Sequence, residues 1–222
     1  MTVVVGGTFE IRAVGAQTGS STINVGDGPN GVAYNPSNNN IYVTNRFNGS
    51  VSVIDSNNDV IDTIVVGSSP QGVTYNPSNN STYVANNFDN SVSIIDPNNI
   101  VNDTIAVGDG PVGIAFNPNN NNIYVTNSDD NSISVLNSNN TVINTLAVGD
   151  SPHGIAFSPT NNSIYVTNTD DNSISVIDSN GLIEETLVID RVSPEGLAYN
   201  PSNDSMYVAN SGDNTVSILS KG

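Results

Sequence analysis

The stretch Gly31-Val-Ala-Tyr-Asn-Pro36, followed by Ile41-Tyr-Val-Thr-Asn45, decides the fold because the chain repeats it. Close copies begin at four later glycines, the first three steps being 41 residues long and the last 42: Gly72, Gly113, Gly154 and Gly196. A repeat of about 40 to 45 residues made of short strands is the sequence signature of a β-propeller blade. The sequence therefore predicts an all-β propeller with five blades, one for each copy.

Each repeat contains four strand signals, which we name a, b, c and d in chain order. In the first repeat they are Gly31–Tyr34, Ile41–Thr44, Ser50–Ile54 and Val60–Val66. Serine and valine alternate in strand c with the period of two that a pleated sheet requires. Asn, Asp, Ser, Gly and Pro fill the connections, as tight turns require. Residues 22–222 are therefore predicted to form a single domain of four-stranded blades.

The last repeat supplies only strands a, b and c, at Gly196–Tyr199, Ser205–Ala209 and Thr215–Leu219. Thr22-Ile-Asn-Val25 matches the d strands of the earlier repeats. Because a bare strand edge promotes aggregation, we expect Thr22–Val25 to complete the last blade and close the ring.

Residues 1–21 precede this closing strand and have no assigned partner within a five-bladed ring. They contain two segments rich in β-branched or alternating residues, Thr2–Val5 and Phe9–Val14. These residues could form a local extra hairpin, a connection to a further domain, or an arm that pairs with another subunit. Adding a strand to the sheet of another molecule is a common mode of association, so we expect an N-terminal β arm that pairs with a neighbouring subunit. The residues expected in that contact are Thr2, Val3, Val4, Val5, Phe9, Ile11 and Ala13.

The charge balance restricts the partners. The chain has 4 basic and 21 acidic residues, giving a formal net charge of −17. A surface so acidic repels nucleic acid and other polyanions. No apolar run approaches the ~20 residues of a membrane span. We therefore expect neither nucleic-acid binding nor membrane insertion.

The repeated segment resembles a known propeller repeat. Tyr42-Val-Thr-Asn45, with Asn35-Pro36 before it and Ser50-Val-Ser-Val-Ile-Asp55 after it, is similar to the YVTN-type repeat of archaeal surface-layer proteins and secreted bacterial propellers. The resemblance covers residues 22–220. It implies a secreted or cell-surface protein that acts in envelope structure, adhesion or binding. Described members commonly have seven blades, so either this ring is smaller or the chain is a piece of a longer one.

One position varies strongly in the connection between strand d and the next strand a. Its occupants are Asn30, Gln71, Val112, His153 and Glu195. These connections converge near one mouth of a propeller channel, so the five residues are a candidate ligand site, in which His153 and Glu195 could form an acid–base pair. A lyase of the virginiamycin-inactivating type is similar in fold and also depends on a histidine. The simpler interpretation is a solvated loop position that is free to vary, and we predict no catalytic residue.

The turns between strands b and c carry adjacent carboxylates. In the third and fourth repeats these are Asp129, Asp130, Asp170 and Asp171. Calcium takes six to eight oxygen ligands, so such pairs are candidate calcium ligands. Asp-Asn before Ser is equally what a tight β-turn requires. No other cofactor is expected.

Seven asparagines stand in Asn-Xaa-Ser/Thr glycosylation motifs. They are Asn48, Asn79, Asn80, Asn102, Asn139, Asn161 and Asn203. In a chain so rich in asparagine, serine and threonine, about as many would occur by chance.

Two classes of function follow from this sequence. The first, which we favour, is a non-catalytic extracellular structural protein that self-assembles into a surface layer or filament through its N-terminal arm. The second is a monomeric cell-surface module that binds a small ligand, cation or glycan at the channel mouth. A lyase-like propeller enzyme is a third alternative.

Overall fold

The structure, a computed structural model, describes residues 21–220. In that range the chain forms five antiparallel sheets, four of four strands and one of three. The first two blades contain β1 (Pro29–Asn35), β2 (Asn40–Asn45), β3 (Ser50–Ile54), β4 (Val60–Val65), β5 (Pro70–Asn76), β6 (Ser81–Asn86), β7 (Ser91–Ile95) and β8 (Val101–Ala106). The third and fourth contain β9 (Pro111–Asn117), β10 (Asn122–Asn127), β11 (Ser132–Leu136), β12 (Val142–Ala147), β13 (Pro152–Ser158), β14 (Ser163–Asn168), β15 (Ser173–Ile177) and β16 (Ile183–Val188). The fifth contains β17 (Pro194–Asn200), β18 (Ser205–Asn210) and β19 (Thr215–Ser220).

The predicted all-β architecture with five blades is confirmed. Each sheet is a meander in which consecutive strands are hydrogen-bonded neighbours. The observed strands match the predicted ones to within one or two residues, and β3 has the predicted bounds. The residues that the structure describes contain no helix, and hence no helix able to cross a membrane.

The hydrophobic core lies between successive blades. We call the side of a blade that meets the next blade in the chain its forward face, and the opposite side its rear face. On the forward face of the first blade, Tyr42 and Val53 pack against Val84 and Ile95 on the rear face of the second. Fully burying an apolar side chain of this size contributes about 1.5–3 kcal/mol. Each blade therefore depends on its neighbours for stability.

The innermost strands bring the blades together around one axis. Packing joins β1 to β5, β5 to β9, β9 to β13 and β13 to β17. In residues 21–220, no comparable packing joins β17 back to β1. The five blades thus form an arc with two free ends.

The expected closure by Thr22–Val25 is wrong for the single chain. Thr22–Val25 forms no strand, and the fifth sheet keeps only three. The residues that follow Thr22–Val25 lie on the first blade, where the Arg46 N–H donates to the Gly28 carbonyl at 2.9 Å. Because the arc does not bring the fifth blade next to the first, Thr22–Val25 cannot reach β19 of its own chain. The predicted arm contact falls on residues 1–20, outside the described range.

Each turn between strands c and d is organised by one side chain at its start. In the first blade the Asp55 carboxylate accepts hydrogen bonds from the backbone N–H groups of Asp59 at 3.0 Å and Asn57 at 2.9 Å. The same arrangement occurs at Asp96 and Asp178. The hydrogen bond from the backbone N–H four residues on, followed by those from the asparagine two residues on, lowers the pKa of all three carboxyls below the ordinary 3.8, although desolvation opposes the shift.

The third blade supplies an uncharged version of this turn. Asn137 accepts the equivalent hydrogen bonds, from the backbone N–H groups of Asn139 at 2.9 Å and Thr141 at 3.1 Å. The turn therefore needs an acceptor oxygen and does not need a charge.

Replacing the three turn aspartates by asparagine should remove part of the acid sensitivity of the fold. A carboxyl whose folded pKa is depressed stabilises the protein above its unfolded pKa, and this contribution is lost as the pH falls through the folded value. Asp55→Asn, Asp96→Asn and Asp178→Asn combined should therefore keep the melting temperature at pH 7 and flatten its decline below about pH 4. Thermal melts of variant and wild type across that range test this. An equally steep decline in both proteins would show that other carboxylates dominate acid unfolding.

Candidate functional site

The five variable positions lie at the second residue of each innermost strand. In all five blades, a register shift separates the first residue of strand a from its fourth, as between Pro29 and Val32. Such bulges redirect side chains. The Thr44 hydroxyl donates to the Gln71 carbonyl of the next blade at 2.7 Å. Equivalent bonds fix the backbones of His153 and Glu195. The variable residues thus sit on a backbone held rigidly from one blade to the next.

The acid–base pair of His153 and Glu195 that the sequence analysis considered is not formed in the structure. Both residues are exposed. The Glu195 carboxylate accepts a hydrogen bond from the Ser211 hydroxyl of its own blade at 2.9 Å. No hydrogen bond joins the His153 side chain to any group in residues 21–220. The geometry gives no support to an acid–base pair. Ligand binding at the five variable positions stays a prediction.

The adjacent carboxylates of the b–c turns act on the backbone. Asp130 accepts a hydrogen bond from the Asp109 N–H at 2.7 Å, and Asp171 accepts one from the Asp150 N–H at 2.8 Å. Each bond fastens the loop that enters a blade onto the b–c turn of that blade. Within residues 21–220, no three acidic or imidazole side chains converge. Calcium binding at Asp129, Asp130, Asp170 and Asp171 therefore stays a prediction. The described residues do not bring three candidate ligands together to support it.

Three glycosylation motifs coincide with a structural hydrogen bond. The side-chain amides of Asn79, Asn161 and Asn203 each donate to the hydroxyl of the strand b tyrosine four residues on, at 2.8 Å. The nitrogen that would carry a sugar is thus already in contact with the protein. The other four motifs lie at exposed residues: Asn48, Asn80, Asn102 and Asn139. Glycosylation of this second group is the more compatible with the fold.

A row of buried asparagines is a feature that the sequence analysis missed. The last residue of strand b donates two hydrogen bonds through its side-chain amide, as Asn127 does to the hydroxyls of Ser132 and Ser134, both at 3.0 Å. The amide oxygens of these asparagines have no protein partner: Asn45, Asn86, Asn127, Asn168 and Asn210. Their recurrence after the Tyr-Val-Thr or Tyr-Val-Ala segment was the available signal.

The two ends of the arc carry exposed apolar side chains that are buried or half-buried at the equivalent positions of interior blades. On the forward face of the fifth blade, Val216 is 60% and Ile218 is 57% exposed. Their counterparts in the second blade, Val92 and Ile94, are at most 1% exposed. On the rear face of the first blade, Val32 and Tyr34 are 64% and 52% exposed. These faces have the composition of a buried interface and no partner within residues 21–220.

A cleft opens beside the incomplete fifth blade. It has a volume of about 420 Å³ and lies between the fourth blade and β19. Its lining includes Tyr165, Val176, Leu187 and Met206. In an earlier pair of blades, the equivalent space is filled by strand d of the later blade, since Val101 packs there against the cluster that contains Tyr42. The cleft is therefore the position of an absent fourth strand.

Comparisons with known proteins establish the fold. No protein-family model and no curated protein matches this sequence. Among solved structures, the hydrazine synthase of Kuenenia stuttgartiensis is similar at 23% identity and a TM-score of 0.76, over 87% of this chain and 58% of that one. A streptogramin B lyase is similar at 18% identity and a TM-score of 0.77, over 87% of this chain and 65% of that one.

A virginiamycin B lyase from Staphylococcus aureus is also similar, at 16% identity and a TM-score of 0.74, over 86% of this chain and 69% of that one. All of these identities are low, so the likeness extends to the propeller fold alone. The chain spans 58% and 65% of the first two matched structures.

Proposed function

We propose that this protein is a non-catalytic structural subunit of the cell exterior, which self-assembles into a filament or layer. The observation that carries the proposal is the pair of open blade faces at the two ends of the arc. Large apolar surfaces on a soluble protein mark interaction sites. Here the two faces are of complementary kinds, because one is a forward face and the other a rear face.

The interior of the molecule supplies the template for their association. Forward faces of blades one to four each pack on the rear face of the following blade. The forward face of blade five presents Gly196, Ala198, Tyr207, Ala209, Val216 and Ile218. On the rear face of blade one, Val32, Tyr34 and Val60 are exposed and Ile41 is half-buried, whereas Val43 and Ile54 are buried. Neither set contains a charged side chain in a protein of net charge −17, so the association would avoid the acidic surface.

Glycines provide a direct test of this association. At four interior positions, a Cβ added to the strand a glycine would overlap the backbone carbonyl of the next blade: Gly31, Gly72, Gly113 and Gly154. At Gly196, an added Cβ meets nothing within 4 Å. If blade five packs on blade one of another copy, Gly196 should approach the Asn30 carbonyl of that copy in the same way.

Gly196→Ala should therefore abolish assembly and leave the fold unchanged. We expect wild-type protein to form large particles by light scattering and negative-stain microscopy, and the variant to remain a 23.1 kDa monomer. The free energy of unfolding of the variant monomer should stay within about 0.5 kcal/mol of that of the wild-type monomer, as is usual for surface substitutions. Ser179→Ala, at an exposed turn residue, is the matched control and should assemble normally.

The same experiment discriminates the alternative function. A wild-type protein that stays a monodisperse 23.1 kDa monomer at every concentration would contradict self-assembly. It would favour a monomeric module that binds a ligand along Asn30, Gln71, Val112, His153 and Glu195. Secretion to the cell surface is part of the proposal and rests on the resemblance to the YVTN-type repeat.

A further inference from the structure

In residues 21–220 the fifth blade has three strands, and the other blades define where a fourth strand would lie. In blades one to four, strand c pairs on its outer edge with a strand d. In blade five, β19 occupies the outer edge, with Val216 and Ile218 exposed. Unpaired N–H and C=O groups along such an edge are a template for a strand from another chain.

Residues 21–220 also contain one d-type segment without a sheet. Thr22-Ile-Asn-Val25-Gly26 has the pattern of Thr63-Ile-Val-Val-Gly67 and Thr104-Ile-Ala-Val-Gly108, which form or follow β4 and β8. In the structure, Thr22–Val25 is paired with no strand, and Thr22 and Asn24 are exposed. Within residues 21–220, one d-type segment therefore lies outside any sheet, and the fifth sheet has no strand d.

The loop after Thr22–Val25 already has the position it would have in a continuous propeller. A Cβ on Gly26 would meet Asn45 of blade one, as a Cβ on Gly67 would meet Asn86 of blade two. The Asp27 N–H donates to Asn48, as the Ser68 N–H donates to Asp89. Thr22–Val25 thus stands beside blade one as strand d of a preceding blade would.

Resting on the proposed self-assembly, we infer that Thr22–Val25 of one copy is strand d of blade five in a second copy. The single chain cannot make this contact with itself because its own blade five lies at the other end of the arc. Donation of the strand would bring blade one of the donor onto blade five of the acceptor, so the strand pairing and the face packing form together. This deepens the proposal by naming the strand that joins the copies.

The repeat fixes the register of the donated strand. In blade one, Val51 faces Ile64 and Ser52 faces Thr63. The equivalent pairs across the two copies are Val216 with Ile23 and Ser217 with Thr22. The Val66 N–H also donates to the Gly49 carbonyl at 3.0 Å, which corresponds to a bond from the Val25 N–H to the Asn214 carbonyl of the acceptor.

The environments of the donated side chains follow from the same equivalence. Ile64 is 6% exposed, and its counterparts Ile105 and Leu146 pack against the cores between blades. Ile23 should therefore be buried between the two copies. Asn24 corresponds to Val65, which is 78% exposed, and should point to solvent. A head-to-tail contact of this kind does not close on two copies, so it produces a ring or a filament.

Two neighbouring substitutions test the inference with the full chain. Ile23→Asp places a charge in the joint between copies, whereas Asn24→Asp adds the same charge one residue along on the solvent side. Burying an unpaired carboxylate is strongly unfavourable, so Ile23→Asp should raise the concentration needed for assembly by about 100-fold or more. Asn24→Asp should leave that concentration within about threefold of wild type. Equal assembly of the two variants would overturn the donated strand.

Disulfide trapping tests the register, since the chain contains no cysteine. Thr22→Cys combined with Ser217→Cys should give a ladder of cross-linked multimers on a non-reducing gel, because directly opposed residues of paired strands are close enough to bridge. Thr22→Cys combined with Ser220→Cys, which lies on the same strand but out of register, should give few cross-linked multimers.

The outcomes separate this inference from the proposed function. A wild-type protein that never assembles contradicts both. Assembly of the wild type without cross-linking of the matched pair retains the proposed function and overturns the donated strand. A matched pair that cross-links only within a 23.1 kDa monomer would show that the strand closes its own ring and would also overturn the inference.

Discussion

Gly113→Ala is expected to destabilise the protein by about 3 kcal/mol, at the upper end of what overpacking costs. A Cβ on Gly113 would overlap the His153 carbonyl of the next blade and lie 2.9 Å from the Thr126 hydroxyl oxygen. The obstructing atom belongs to the backbone of an innermost strand, which cannot rotate away as a side chain could. For a chain of this length, the melting temperature should fall by about 6–12 °C.

Gly196→Ala is the matched control for this effect. It adds the same methyl group at the same position of the repeat, where an added Cβ meets nothing within 4 Å. Replacing a glycine reduces the entropy of the unfolded chain, so the monomer should be unchanged or slightly more stable, by about 0.5 kcal/mol. Chemical denaturation of both variants as monomers provides the comparison. Similar losses in the two variants would mean that the glycine serves backbone conformation and not the close approach of blades.

Asn127→Ala is expected to cost about 3 kcal/mol or more, because two buried hydroxyls lose their donor and a cavity remains. Asn127 is fully buried, and Ser132 and Ser134 are 7% and 2% exposed. The amide also packs against Gly108, where the chain enters the blade. Loss of the side chain should therefore loosen both strand c and the entering loop.

Asn102→Ala is the control for the loss of an asparagine. Asn102 is exposed on the outer strand β8, so its replacement should change the unfolding free energy by less than about 0.5 kcal/mol. Hydrogen exchange of the blade three amides would add detail, since it reports local opening. If Asn127→Ala unfolded at the same denaturant concentration as Asn102→Ala, the buried amide would contribute nothing net to stability.

The turns show how far local chemistry determines this fold. Asn58, Asn99 and Asn140 all adopt positive φ, at 68°, 63° and 61°, a conformation that asparagine tolerates better than most residues. The preceding Asp or Asn side chain accepts the backbone N–H groups of the same turn. Such interactions involve residues within four positions of one another. They are visible in the sequence, and the strand bounds predicted from them were confirmed.

The candidate site was less accessible to sequence reasoning. The variable positions were found as a set, but Glu195 accepts a hydrogen bond from Ser211, and within residues 21–220 the His153 side chain makes no hydrogen bond. Asp130 and Asp171 were considered as calcium ligands, and the structure shows them bound to backbone N–H groups of a loop about 20 residues earlier. In both cases the hydrogen-bonding partner is distant in sequence, so no local sequence pattern predicts it.

The sequence by itself determined the repeat, the blade number, the order of strands and the turns, because each depends on hydrogen bonds and side-chain alternation within one repeat of about 41 residues. Only the tertiary structure decided that Thr22–Val25 does not close the ring. Closure depends on the angle between successive blades, which is set by contacts such as Gly31 against the Gln71 carbonyl. Equivalent glycine contacts recur at all four interfaces between blades, so their effect on the angle accumulates along the arc. The sequence pattern of one repeat does not determine the total rotation of five blades. The open faces and the unpaired segment Thr22–Val25 were therefore visible only in the tertiary structure.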